Sequence, residues 1–312
     1  MPGALYCKIK SADLRLHASW SKPHNRPVAP TSWQKRIRRA ETLAVKHPFA
    51  SEILGFYVHA ARFQEGLYQR AERSSVGVPT NVPSAASGRA ELAGSLLLGP
   101  QDAGAAGTLN VPEILRNFPA FLSLLEQSGP ALLAQVARVL QSSPESVWSD
   151  LLDACWSTTG EPSSPEEFLA LAFLQPYAEF ARSRVRLQLE GFAQALCPFC
   201  NRKPVLAILR PEGDGGRRSL LCGFCLTEWE FRRIICPGCG QEDHSKLPVY
   251  TAETFPYIRV ECCDNCQTFV KSIDMTKNGV AEPLVDELAS IPLNLWAEEH
   301  GYAKLRPNLL GM

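Results

Sequence analysis

Apolar positions recur every three to four residues through most of the first two thirds of the chain, and every two residues over short stretches beyond it. Phe49, Ile53, Phe56, Tyr57, Ala60, Phe63 and Leu67 keep helical spacing to about Ala71 and predict a wide buried helix face. A basic helix over about 33–46 precedes it, opened by Thr31 and Gln34 at capping-box spacing. Pro48 suits the first turn of the next helix. Helical patterns resume over 112–117, 119–127, 130–141 and 144–156, each starting on a Pro, which the first turn tolerates best. Ser164 then caps a long helix expected from Pro165 to about Ala195, with Glu166 and Glu167 at its positive end and a kink at Pro176.

After residue 196 the period changes. Val205 to Leu209 is an apolar strand, 211–216 a Gly-rich turn, and Ser219 to Leu221 the returning strand. Thr227, Trp229 and Phe231 alternate with Glu228, Glu230 and Arg232, so one face of this strand is apolar and the other charged. Residues 268–273 alternate again. A final helix over 283–300 carries Leu284, Leu288, Ile291, Leu295 and Trp296 inward and breaks or kinks at Pro292.

Cysteines fall in the same region. Four Cys-x-x-Cys pairs stand in order at Cys197/Cys200, Cys222/Cys225, Cys236/Cys239 and Cys263/Cys266. Twenty-one residues separate the first two pairs and twenty-three the last two, the spacing of zinc ribbons. Two thiolates three apart on a tight turn aim at one point, and two such turns complete a tetrahedral S₄ site with sulfurs about 2.3 Å from the metal. Such a site is closed to substrate and takes zinc or iron. The near-equal loops favour sequential sites, 197/200 with 222/225 and 236/239 with 263/266, over a cross-brace. Cys263 rather than Cys262 is the expected ligand, since adjacent strand residues point to opposite faces. Cys155 reads as a small buried hydrophobe and Cys7 lies in the N-terminal arm.

The predicted architecture is a mainly α N-terminal helical bundle plus two tandem rubredoxin-like or zinc-ribbon modules, α+β overall. Its parts are a flexible arm (1–30), an all-α domain (31–195) with a mobile loop at 74–110, ribbons at 196–235 and 236–275, and a C-terminal helix and tail (276–312). Metal removal is expected to melt the ribbons and leave the helices.

Charge narrows the function. Lys+Arg and Asp+Glu are 32 each, and residues 197–312 hold 13 basic against 15 acidic side chains. A ribbon that binds nucleic acid needs a basic face, so a nucleic-acid adaptor is disfavoured; a local patch at Arg217, Arg218, Arg232 and Arg233 reads as solvated hairpin charge. The first ten residues show no apolar signal core and no stretch approaches membrane-spanning length, which predicts a cytoplasmic protein without membrane insertion. Neither a P-loop nor the HExxH and GxSxG patterns occurs, so no enzyme activity is expected.

Several stretches coincide with one family. Cys222-Gly223-Phe224-Cys225-Leu226-Thr227-Glu228-Trp229 looks like a C-x-L-C-x-x-E-W signature, and Cys263-Asp264-Asn265-Cys266 leads to Phe269 and Lys271. Asp286-Glu287-Leu288-Ala289-Ser290 is similar to a D-D-L-A-S element, with Glu287 for the second Asp, followed by 298–302 and by Pro307-Asn308. Together these resemble the formate dehydrogenase accessory (formation) protein family of the FdhE type, over about residues 31–310. The resemblance implies a cytoplasmic maturation factor that binds the molybdenum- or tungsten-dependent formate dehydrogenase catalytic subunit before export. It also implies rubredoxin-like iron in the two S₄ sites. A redox protein passing electrons during maturation is the alternative. Glu228, Glu230 and Arg232, on the charged strand face, and Asp286 are the expected partner-binding residues.

Overall fold

The structure is a computed structural model and describes residues 33–74, 111–184, 187, 189–213, 215–308 and 310–311. The arm at 1–30, Cys7, the capping Thr31 and most of the 74–110 loop lie outside the described residues.

Helix α1 (Trp33–Lys46) and helix α2 (Ser51–Ser74) form an antiparallel pair, joined by a single 3₁₀ turn at Pro48–Ala50. Then come α3 (Val111–Leu115), α4 (Phe118–Ser128), α5 (Ala131–Gln141), α6 (Glu145–Ser157) and α7 (Pro165–Ser183). Ser164 caps α7 as expected, accepting from the Glu167 N–H at 3.3 Å. Helix α7 is the bundle's centre: every residue from Leu169 to Ala181 is buried, including Pro176. It ends at Ser183, not near Ala195. The expected extension reads Leu189-Glu190-Gly191-Phe192, and Gly191 sits at φ 74°, a conformation that a helix does not contain.

The C-terminal half is built on one sheet. Its strands are β1 (Leu206–Glu212), β2 (Gly215–Leu221), β3 (Glu228–Glu230), β4 (Val249–Ala252), β5 (Phe255–Cys263), β6 (Thr268–Asp274) and β7 (Ala303–Lys304). The order is β3-β2-β1-β6-β5-β4, with β7 also on β6. The two modules expected over 196–235 and 236–275 are therefore not self-contained hairpins. They are fused by a parallel pairing of β1 with β6, Ala207 opposite Ser272 and Leu209 opposite Asp274. Fusion buries β6 on both faces, so 268–273 does not present the one-sided alternation that its sequence suggests. The final helix is two, α8 (Pro283–Ala289) and α9 (Ile291–Glu299), broken at Ser290 just before Pro292.

Bundle and sheet share a core. Phe173, Tyr177 and Phe180 of α7 belong to the same buried cluster as Cys197, Cys200, Cys222, Phe224, Cys225 and Trp229. A second cluster lies between the sheet and α9, and a third joins α1 and α2 to α8. Two ion pairs, the first buried and the second partly so, fasten these layers. Arg36 of α1 meets Glu179 of α7 at 3.0 Å, and Arg39 of α1 grips Asp286 of α8 with contacts of 3.0 and 2.6 Å.

Candidate metal centres

Each Cys-x-x-Cys knuckle is made the same way. The residue after the second cysteine takes a left-handed conformation: Asn201 at φ 56°, Leu226 at 57°, Gly240 at 75° and Gln267 at 54°. This reversal lets the chain fold back under the sulfurs. The N–H groups of Asn201, Gly240 and Gln267 each donate to the carbonyl of the first cysteine at 2.9 Å. In three knuckles the first cysteine's own N–H donates to the carbonyl five residues on, at Arg202, Thr227 and Gln241.

The knuckles meet sequentially. Cys197, Cys200, Cys222 and Cys225 have their sulfurs within 4.8 Å of one another, and so do Cys236, Cys239, Cys263 and Cys266. Sγ···Sγ distances are 3.4 to 3.6 Å in the first cluster and 3.6 and 3.7 Å in the second. A tetrahedron with sulfurs 2.3 Å from its centre has edges of about 3.8 Å, so both clusters fit one tetrathiolate-bound ion of zinc or iron size. Cys262 points elsewhere, into the cluster between sheet and α9. Cys155 is buried against the bundle, and burial pushes its thiol up to about 12.

The two clusters differ in exposure. All four sulfurs of the first are buried, whereas in the second Cys239 is exposed and Cys266 partly so. Burial, then the neighbouring thiols, raises Cys197 well above an ordinary thiol. Burial pushes Cys236 up to about 12. Burial pushes Cys239 up, but the Asn265 side chain, the Gln241 N–H and the neighbouring thiols together hold it down at about 7. Hydrogen bonds repeat across the two: Thr227 Oγ1 lies 3.1 Å from Cys225 Sγ and Thr268 Oγ1 3.1 Å from Cys266 Sγ.

The expected docking face is only half present. Glu230 and Arg232 are exposed, paired with Arg217 and Glu242 respectively. Glu228 is not a surface group: its side chain is 6% exposed, salt-bridged to Arg210 at 2.6 Å, and accepts from Ser219. Asp286 is 0% exposed, taken by Arg39, by the Tyr257 hydroxyl at 2.7 Å and by the Glu282 N–H. Strand alternation placed Glu228 on the charged face, but alternation reports direction and not what lies over that face. Trp229, by contrast, fills the ribbon core and donates to the Gln194 carbonyl at 3.0 Å.

Arginines at the first cluster were not legible in the sequence. Arg182, whose Nε donates to Thr227 Oγ1 at 3.1 Å, and Arg202, whose guanidinium lies 4.0 Å from the centre of the Phe224 ring, come from α7 and the first knuckle, and no spacing rule relates them. Of the four arginines of the supposed basic patch, Arg218 is buried on Glu261 at 2.7 Å and two others are ion-paired, which leaves no basic face there.

Residues 196–233 match the family model described as FdhE, central domain, and 234–310 the one described as FdhE, C-terminal domain. A protein FdhE homolog of Aquifex aeolicus is 25% identical over 276 residues, 88% of this chain and 94% of its own. A homolog from Cronobacter sakazakii is 30% identical over 57% of this chain and 58% of its own, and protein FdhE of Escherichia coli is 29% identical over the same shares. The crystal structure of the FdhE protein from Pseudomonas aeruginosa superposes with a TM-score of 0.64 over 92% of this chain and 98% of that one, at 22% identity, and so shares the fold.

Proposed function

Because the chain belongs to the FdhE family, we propose that it is a non-enzymatic accessory factor in the formation of active formate dehydrogenase. The observation that carries this reading is the pair of closed Cys₄ clusters set in FdhE-type domains. Closed tetrathiolate sites leave no position for a substrate, and their product is a rigid surface, which suits recognition of another protein. The eight clustered cysteines would hold two ions, iron or zinc. The partner is the molybdenum- or tungsten-dependent catalytic subunit, met in the cytoplasm before export. Glu230 and Arg232 remain on the candidate docking face. Among the described residues no helix is long and apolar enough to cross a membrane.

The exposure of Cys239 supports a second reading, in which the second site exchanges electrons during maturation. Iron bound there would supply one-electron chemistry, and zinc would not.

The test is a strain lacking this gene. Formate dehydrogenase activity should fall, return with the parent gene, and fail to return with Cys222→Ser or Cys263→Ser. The tagged parent protein should capture the catalytic subunit. Full formate dehydrogenase activity without the gene would refute the reading. Metal analysis of the anaerobically purified protein separates the two readings, since a zinc-only protein excludes the second.

A further inference from the structure

The two clusters share their knuckle geometry but not their walls. The third residue of each knuckle is Phe199 or Phe224 in the first cluster and Gly238 or Asn265 in the second. Both phenylalanines are buried. Phe224 packs against the Arg202 guanidinium, 4.0 Å over its ring, and against Trp156, whose ring meets it edge-on at 5.9 Å. Cys197, Cys200, Cys222 and Cys225 are each no more than 2% exposed.

The second cluster is covered on one side only. Cys236 and Cys263 are buried, whereas Cys239 is exposed and Cys266 partly so. Cys239 stands between Gly238 and Gly240, both exposed, and a Cβ placed on Gly240 would meet no atom within 4 Å. Asn265, itself exposed, reaches over from the facing knuckle and donates to Cys239 Sγ at 3.5 Å. The neighbouring carboxylate of Asp264 is taken by the Tyr302 hydroxyl at 2.5 Å.

These walls decide which sulfur can leave. A tetrathiolate ion has no vacant position, so a new ligand enters only as a cysteine departs. At the first cluster the departing thiolate would stay buried away from water, at a large desolvation cost. At the second, Cys239 departs into water and keeps an amide donor in Asn265. We propose that the second cluster exchanges its ion with low-molecular-weight thiols by displacement of Cys239, while the first keeps its ion for as long as the chain stays folded. The incoming thiol gives up its proton and forms one metal–sulfur bond as the bond to Cys239 Sγ breaks. The Cys239 sulfur leaves with its electron pair and takes up a proton, and no electron is transferred. The same displacement at Cys266, the other partly exposed sulfur, carries the ion off or, in reverse, brings one in. The two glycines and the uncharged Asn265 beside Cys239 neither block nor repel a small thiolate. The inference rests on metal occupancy of both clusters, which the experiment counts first.

The full-length protein is loaded with natural-abundance zinc and its metal content measured. Two ions per chain are expected, and a protein that binds none refutes the metal reading itself. The loaded protein is then mixed with a heavy zinc isotope and increasing glutathione, and the bound isotopes are followed by mass spectrometry. One ion should exchange at a rate proportional to the glutathione concentration, and the other should stay in place. Cys239→Ser should bind one ion, the slow one. Brief iodoacetamide treatment of the loaded parent with glutathione, followed by peptide mapping, should label Cys239 ahead of the other seven clustered cysteines. Equal rates for the two ions overturn the proposal, and so does a chain that holds a single, slow ion. A fast rate that glutathione does not change also overturns it, because the ion then leaves unaided. A Cys239→Ser protein that keeps the fast ion assigns exchange to the first cluster, against the proposal. If that variant does not fold, the labelling map of the parent decides: a first-cluster cysteine labelled ahead of Cys239 overturns the assignment.

Discussion

The Lys271 ammonium and the Glu287 carboxylate meet at 3.0 Å with essentially no exposure of either side chain. Lys304 and Asn308 also bond to Glu287, and Lys271 donates to the Glu287 carbonyl at 2.6 Å and the Ser290 hydroxyl at 3.0 Å. This knot ties β6, α8 and the C-terminal tail together.

Glu287 gives the fold a window of acid sensitivity. Burial alone would raise its pKa, but Lys271, Lys304 and Asn308 hold it down at about 2 against an ordinary 4.5. The folded state therefore binds this proton less readily than the unfolded chain. Its stabilisation is complete above about pH 5 and is lost as pH falls through the folded value, up to about 3 kcal/mol in all. Unfolding free energy measured in urea from pH 6 to pH 2 should fall, and Glu287→Gln should be less stable at pH 7 with a flatter profile. A variant as pH-dependent as the parent would show that the acid response arises elsewhere.

Glu179→Ala should be severely destabilising. It strands Arg36, which is 1% exposed and has Nε and Nη1 unpaired already. Breaking one side of a buried pair costs about 3–5 kcal/mol. The urea midpoint should drop accordingly. Replacing both partners, Arg36→Met with Glu179→Leu, should recover much of the loss, which a purely steric role for Glu179 would not allow.

Metal loss should reach different depths at the two sites. The first cluster shares its buried core with α7, so Cys222→Ser should lower the thermal midpoint followed by helical circular dichroism. This departs from the expectation that only the ribbons melt, because that expectation took the bundle's apolar faces as closed on themselves. Cys239→Ser, on the surface, should remove one ion and leave that midpoint within a few degrees.

Cys262 and Cys263 should separate cleanly. Cys262→Ser puts a hydroxyl in an apolar cluster and should cost about 1–3 kcal/mol with both metals retained. Cys263→Ser should lose one metal per chain by elemental analysis. The reverse outcome would exchange their roles.

The two cysteine clusters were readable because their rule is local: a knuckle is four residues of sequence, and near-equal loops made sequential pairing the simplest closure. Helix α1 was legible from residue 33 to residue 46 for the same reason. What the sequence concealed is long-range. The β1–β6 pairing depends on which strand edges remain free after the hairpins form, and neither strand carries a mark of it. The D-E-L-A-S stretch stood out, but Asp286 is buried on Arg39, 247 residues before it, and Glu287 on Lys271, on a different element. A conspicuous carboxylate looks the same in sequence whether it faces a partner or a buried cation.

The β1–β6 pairing also sets an order of completion during synthesis. All four thiols of the first cluster lie at or before Cys225, so that loop can close without later sequence. The sheet over it cannot, since Ala207 waits for Ser272, and long loops must close before such contacts reward them. The four cysteines are thus complete in the chain before the sheet beside them can be, and the finished fold buries all four sulfurs.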